Sequence, residues 1–206
     1  MLRPLHFHSA LKLPVWAHES DGTVVRQYCD ALIKVCSHIR EGSFVRGVSI
    51  LDNEMSHWRD KANSLKDVAR SAGIQKLVAG SVIVKQGCVL LLRRQKGDFL
   101  EGLYELPSGG TKPGESIIDA LLRETLEETG LTILRISGFL NSFDYASKTG
   151  RRTRQFNFIV EAKGNVVLDP EEHSEAVRIT PGQVDSLKGE ISEETMAVLR
   201  KVGSMS

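Results

Sequence analysis

Glu124, Glu127 and Glu128 are the side chains of this 206-residue chain best placed to do chemistry together. They sit in the run GGTKPGESIIDALLRETLEETGL, from Gly109 to Leu131. Its start cannot be helical, because Gly109, Gly110, Pro113 and Gly114 break helices and permit unusual backbone angles. From Glu115 to Thr129 neither Gly nor Pro interrupts, and Gly130 is placed to cap the helix end. At about 100° per residue, Ile118, Leu121, Leu122, Thr125 and Leu126 make one apolar face, and the three glutamates share an arc of roughly 100° beside it. Like charges so close repel one another and ask for a counter-charge. Oxygen-only ligands of this kind suit Mg²⁺, with Mn²⁺ as a substitute. The bare backbone of the glycine loop next to such an ion suits a phosphate-bearing ligand. Arg123 is better suited to orienting a carboxylate, Glu115 or Glu127, than to touching substrate. Glu115 is read as opening the helix, where a negative charge is favourable.

The spacing Gly109, five residues, Glu115, seven residues, Arg123-Glu124-Thr125-Leu126-Glu127-Glu128-Thr129-Gly130-Leu131 resembles the Nudix box, G-x5-E-x7-R-E-U-x-E-E-x-G-U, with U a bulky aliphatic residue. Every fixed position matches. Thr125 departs from the first aliphatic position, which touches packing more than chemistry. The wider resemblance, to a whole Nudix domain, runs from about Leu77 to the C-terminus. It implies an α+β fold, an α/β/α sandwich with a mixed sheet between helices. It also implies Mg²⁺-dependent hydrolysis of a diphosphate linkage in a nucleoside diphosphate joined to another group, by water attack on phosphorus. Glu124, Glu127 and Glu128 would hold the metal, and Glu124 is assigned both ligand and base roles, because family members differ in which carboxylate is the base.

Other site residues follow from the same resemblance. The stretch ELPSGG looks like the family's E-L-P-G-G-G, with Ser108 in place of the first Gly. The family uses the main-chain carbonyl of that residue as a metal ligand, and Ser supplies one if its dihedral angles do not require Gly. Glu172-His173-Ser174-Glu175 resembles an E-H-x-E loop near the family's metal site, with Arg178 where Trp is common in the strand that follows. Glu172 or Glu175 is the expected accessory ligand or base, against solvated loop charge as the alternative, and His173 reads as a loop hydrogen-bonding residue. Arg94, Glu105, Gly109, Gly110 and Arg154 are the expected substrate contacts, while Glu115 and Gly130 are structural. For the basic cluster Arg151, Arg152 and Arg154, exposed turn charge competes with phosphate binding.

The substrate stays open between nucleotide sugars such as ADP-ribose, towards which the EHSE loop leans, and nucleoside triphosphates including oxidised ones, towards which GLYELPSGG leans. Two other readings stand beside hydrolysis. One is a catalytically weak domain that senses nucleotides, which the intact carboxylates argue against; the other is an interaction protein with a coincidental box.

The elements that must position these groups read as follows. Residues 77–84 and 88–94 form a hairpin through the turn Lys85-Gln86-Gly87, with Arg93 and Arg94 at its end, where at most one can face inward. A brief strand at 103–106 leads into the box. Residues 132–140 and 153–162 read as paired strands, with Phe143, Asp144 and Tyr145 leading into a turn at 147–150. Pro181 opens a short helix, and Ser192 caps a last one reaching Val202. Residues 1–75 read as a mainly helical extension before a catalytic domain at 76–206. Its amphipathic helices span Thr23 to Ile39 and Asp52 to Gly73, with GSFVRGVSIL between them as a short strand or buried loop. The extension is expected to pack on the following domain or on a second subunit, which makes a homodimer an expectation.

Composition narrows the class further. An apolar content of 41% supports a proper core, and a net charge of +1 gives no global field pointing to nucleic acid or a membrane surface. No apolar run is long enough to span a bilayer, and His6, His8, Lys12 and Pro14 interrupt any signal-peptide core, so a cytoplasmic protein acting on a small nucleotide is expected. Cys29, Cys36 and Cys88 lack metal-ligand spacing and read as buried free thiols.

Overall fold

Val, Ile and Leu dominate the chain between residues 76 and 94, and a computed structural model of the protein folds them as two antiparallel strands, β1 (Lys76–Lys85) and β2 (Cys88–Arg94). The structure describes residues 41–97 and 100–205. The helix expected at residues 23–39, with Cys29 and Cys36, lies outside them. The hairpin turns on Gln86 and Gly87, both with left-handed backbone (φ 52° and 74°), the pair of conformations whose twist matches that of the flanking strands.

β1 is the central strand, with Leu77 through Ile83 all buried. Its first half pairs antiparallel with β4 (Ser108–Gly110), and most of its length pairs parallel with β6 (Arg152–Lys163). Beyond β6 lies β5 (Thr132–Ala146), antiparallel to it. On the other side β2 carries β3 (Tyr104–Glu105) and β7 (His173–Ile179). These strands make one mixed, seven-stranded sheet.

Helices cover both faces. Ser81 and Phe158 are cross-strand partners and so point to one face. There Thr125 of α2 (Ile117–Thr129) meets Ser81, and Trp58 of α1 (Glu41–Ser71) stands edge-on to Phe158 with ring centroids 6.1 Å apart. Arg59 Nη2 donates to Asp119 across the two helices at 2.6 Å. Val82 points to the opposite face and joins a core with Val89, Leu91, Met196, Val198 and Leu199, built on α3 (Glu193–Gly203) and the 3₁₀ helix Pro181–Leu187. The result is a mixed sheet between helical layers, an α/β/α sandwich.

Several expectations are corrected. Residues 42–51 are helical, not strand or loop, and Asp52 lies inside α1 rather than capping it. Strand β5 runs on to Ala146, because Asp144 and Tyr145 still pair with β6. Residues 173–175 belong to β7 rather than to a loop. Cys88 is a free thiol, but half-buried rather than buried.

The departure at Thr125 has a local compensation. Its hydroxyl donates to Leu121 O at 2.7 Å and so accepts from Ser81, both residues being buried. Thr125→Val strands the Ser81 hydroxyl and is expected to cost about 1–2 kcal/mol in urea unfolding. The double variant with Ser81→Ala removes both partners and should recover at least half of that loss.

Candidate active site

The box helix starts at a cap and converges on one guanidinium. Ser116 Oγ accepts the Asp119 N–H at 3.0 Å, so α2 begins at Ile117 and Glu115 sits just before the cap instead of opening the helix. Gly130 ends it with φ 68°, donating to Leu126 O. Between them Arg123, only 6% exposed, donates to Glu115 from Nε and Nη2 (both 2.8 Å), to Gly110 O (3.0 Å), and from Nη1 to Glu124 (2.6 Å) and Glu127 (2.9 Å). Burial works against the Arg123 charge, but Glu115, Glu124 and Glu127 together hold the guanidinium firmly protonated. Burial also pulls the Glu115 carboxyl upward, yet Arg123 and the Lys112 N–H keep it below the usual carboxylate range.

The other glutamates differ in surroundings. Glu127 is exposed, whereas Glu128 is 4% exposed and accepts the Ser108 N–H at 2.8 Å. Burial, then Glu105 and Glu124, then Glu172, push the Glu128 carboxyl well above its ordinary range against that single N–H. Glu124 is raised as well, by burial first and by Glu127 and Glu172, with Arg123 opposing. Its carboxylate lies directly over the backbone of Gly109, where any Cβ would overlap it, so a glycine is required there by close approach. Ser108 is not among the residues with left-handed backbone, so its serine side chain brings no strain to β4.

Of the two accessory candidates, the structure brings in Glu172. Glu128, Glu172 and His173 each offer a ligand atom within 4.8 Å of the others, a spacing that suits a metal ion. Glu175 instead accepts from the Tyr104 hydroxyl (2.9 Å) and lies 3.6 Å from Arg93. His173, expected as a loop residue, is buried at the start of β7 with Nε2 3.2 Å from Glu105. Arg94 pairs with Glu105.

Part of this set opens onto a cleft of about 630 Å³, a size suited to a nucleotide, whereas Glu115, Arg123, Glu127, His173 and Glu175 are not among its lining residues. Arg94, Glu105, Ser108, Gly109, Gly110, Glu124, Glu128 and Glu172 line it together with Phe143, Tyr145 and Gln155. Burial, then Glu105, pushes the Tyr145 hydroxyl up to about 12, so the ring stays neutral. Arg154 is not in the cleft: its guanidinium grips the Asp144 carboxylate through Nε and Nη2. Strand alternation explains this, because Arg154 and Gln155 face opposite sides of β6 and Gln155 takes the cleft side. Phe143, Tyr145 and Gln155 were missed in the sequence, although the polar–apolar alternation from Ser142 to Ala146 carried the signal for the first two.

A family model described as NUDIX domain matches residues 75–199. Two curated relatives, both named 8-oxo-dGTP diphosphatase, come from strains of Buchnera aphidicola. One is 41% identical over 44 residues, which is 21% of this chain and 36% of the relative. The other is 34% identical over 58 residues, 28% of this chain and 45% of the relative. Each match thus spans less than half of the relative's length. Among solved structures, a MutT NUDIX hydrolase from Burkholderia pseudomallei superposes with TM-score 0.54 at 24% identity, covering 62% of this chain and 97% of that one, a likeness of fold. A C. elegans Ap4A hydrolase superposes with TM-score 0.51 at 25% identity, covering 64% and 97%.

Removing the Arg123 charge leaves carboxylates buried without their partner. Arg123→Met is expected to cost about 3 kcal/mol or more in urea unfolding. Arg123→Lys should recover only part of it, because an ammonium cannot reproduce the fork that grips Glu115 at two points. A loss below about 1 kcal/mol for the Met variant would show that the cluster is not held by this residue.

Proposed function

The chain belongs to the Nudix family, and from that premise we propose that it is a pyrophosphohydrolase, cleaving a diphosphate linkage in a nucleotide by water attack on phosphorus. The observation that carries the reading is that Glu105, Glu124, Glu128 and Glu172, carboxylates of unequal environment, line one nucleotide-sized cleft. Glu128 and Glu172 come close together without the Arg123 contact that Glu124 and Glu127 have, and a cation preferring carboxylate oxygens would meet that need, which fits Mg²⁺, with Mn²⁺ as a substitute. Glu124, Glu127, Glu128, Glu172 and the Ser108 carbonyl would hold it. A bound Mg²⁺ would screen the diphosphate charge, polarise the phosphoryl oxygen and lower the pKa of water.

In this proposal each residue of the chain has a task. Glu124 has one carboxylate oxygen committed to Arg123 and keeps Oε2 either to complete the metal cluster or to take the proton of the attacking water. Arg123 fixes the carboxylates and does not touch substrate. Gly109 and Gly110 bring backbone to the cleft wall, with Glu124 taking the space over Gly109 and Lys76 that over Gly110, and Arg94 with Glu105 walls the substrate. The products are a phosphate monoester and a second phosphorylated fragment, or pyrophosphate from a triphosphate. Similarity to the two 8-oxo-dGTP diphosphatases supports nucleoside triphosphates, oxidised ones included, ahead of nucleotide sugars. The division into an extension at 1–75 and a catalytic domain at 76–206, association as a homodimer and a cytoplasmic location belong to the same proposal.

Product release from a panel of nucleoside triphosphates, dinucleotides and nucleotide sugars with Mg²⁺ is expected to single out one class. Glu127→Gln should lower its turnover roughly a hundredfold or more. Binding without turnover across the whole panel would replace this reading with a nucleotide sensor. Millimolar Mg²⁺ is expected to raise the thermal midpoint of the metal-free protein by roughly 3 °C. Glu128→Gln should be at least as stable as the metal-free parent, because a neutral amide there no longer has an ionised form for burial, Glu105 and Glu124 to disfavour, but should show less than half of the Mg²⁺ response.

A further inference from the structure

Gln155, which lines the cleft, begins a chain of three amides that the hydrolysis itself does not use. Gln155 Nε2 donates to Asn157 Oδ1 at 2.9 Å, and Asn157 Nδ2 donates to Asn141 Oδ1 at 2.9 Å. Gln155 and Asn157 are two residues apart on β6 and share a face; the pairing of β5 with β6 sets Asn141 opposite Asn157 and Phe143 opposite Gln155. Asn157 is fully buried and Gln155 is 8% exposed, so these are expensive groups to place on a sheet unless each is satisfied.

The chain of donors has a direction, and the direction leaves one atom over. Asn157 Oδ1 receives the Gln155 nitrogen, so Gln155 cannot turn over by itself without setting oxygen against oxygen, and its own oxygen faces away. Among the described residues no donor reaches that Oε1, although Gln155 lines the same cleft as the box carboxylates. Gln155 has one N–H held by Asn157 and its oxygen left for a donor in the cleft that the residue lines. Gly80, on the neighbouring strand β1, shows how closely the array is fitted: a Cβ there would overlap both Asn157 Oδ1 and Gln155 Nε2. Beside Gln155, Phe143 and Tyr145 lie on one face of β5 with ring centroids 6.0 Å apart and planes tilted by 45°, so a flat base can stack against one ring with the other at its edge.

We propose that Gln155 selects the nucleobase, accepting an N–H from its edge through Oε1 while the base stacks on Phe143 and Tyr145, and that Asn157 and Asn141 are positioning residues that keep the amide from turning over. The ligand is therefore a base-selective nucleotide whose base carries an amino or imino N–H at that edge. A base with a lone pair there meets an oxygen and is rejected. This rests on the hydrolase reading only for the ligand's being a nucleotide.

The test is calorimetric binding to the full chain, without turnover. The probes are the nucleoside monophosphates of adenine, guanine, 8-oxoguanine, cytosine and uracil, with ribose 5-phosphate as a base-free control. The parent is expected to bind its best base at least roughly tenfold tighter than its worst. Gln155→Met should bring all five within about threefold of one another and leave ribose 5-phosphate within about twofold of the parent. Asn141→Ala frees the relay at its half-buried end and should reduce the preference roughly threefold, again with unchanged ribose 5-phosphate binding, which shows that the fold is intact. A parent without base preference, or a preference unchanged in whichever variant retains the ribose 5-phosphate affinity, overturns the inference. If Gln155 sets the preference but nothing is hydrolysed, the hydrolase reading falls and this inference stands. If hydrolysis proceeds with the same preference in Gln155→Met, the reverse holds.

Discussion

Burying a guanidinium costs several kcal/mol unless its donors are matched, and Arg123 meets that condition by directing them at three carboxylates and one carbonyl. The match works in both directions. Glu115, Glu124 and Glu127 come from a loop and two turns of one helix, and would repel one another without the cation between them. Through Gly110 O the same side chain ties the glycine loop to the helix. Loop and helix therefore keep a fixed relation before any ligand arrives, which is what preorganised charge requires.

The sheet supplies the other half of the site. β1 contacts β4 on one side and β6 on the other, so the glycine loop that carries Ser108, Gly109 and Gly110 and the strand that carries Gln155 and Asn157 are fixed to one backbone. At the position where close approach matters most on that backbone the residue is Gly80, and in the loop it is Gly109. In both places the missing Cβ is occupied by a functional side chain of a neighbouring element, the amide relay in one case and Glu124 in the other. Carboxylates that ask for a cation, with an amide and two aromatic rings in the same cleft, suit a ligand that joins a metal-bound phosphate to a flat base.

Much of this was legible because it is local. The box helix, its glycine cap and the first hairpin follow from spacing and turn chemistry within about twenty residues. What was not legible depends on pairing between distant segments. Whether Glu172 or Glu175 reaches the cleft turns on an irregularity in the β2–β7 register between Arg93 and Arg94, opposite the start of β7, which no local pattern encodes. Arg154 is suggestive by charge but sits on the wrong side of its strand, a question of parity that the pairing with β5 settles. Residues 42–51 contain glycines and β-branched residues and read locally as strand, yet they continue one helix, since propensity is only a weak prior. Thr125 looked like a flaw in an aliphatic position until Ser81, 44 residues earlier, supplied its partner.

The most direct test of the central claim, that this carboxylate cluster drives water onto phosphorus, is turnover of the best substrate in ¹⁸O-labelled water followed by mass spectrometry of the products. The account predicts one ¹⁸O per cleavage, carried on a phosphate group of a single product, and formed only when a divalent cation is present. Label on a carbon of the sugar or base, or labelled product formed equally fast in a metal chelator, would contradict it.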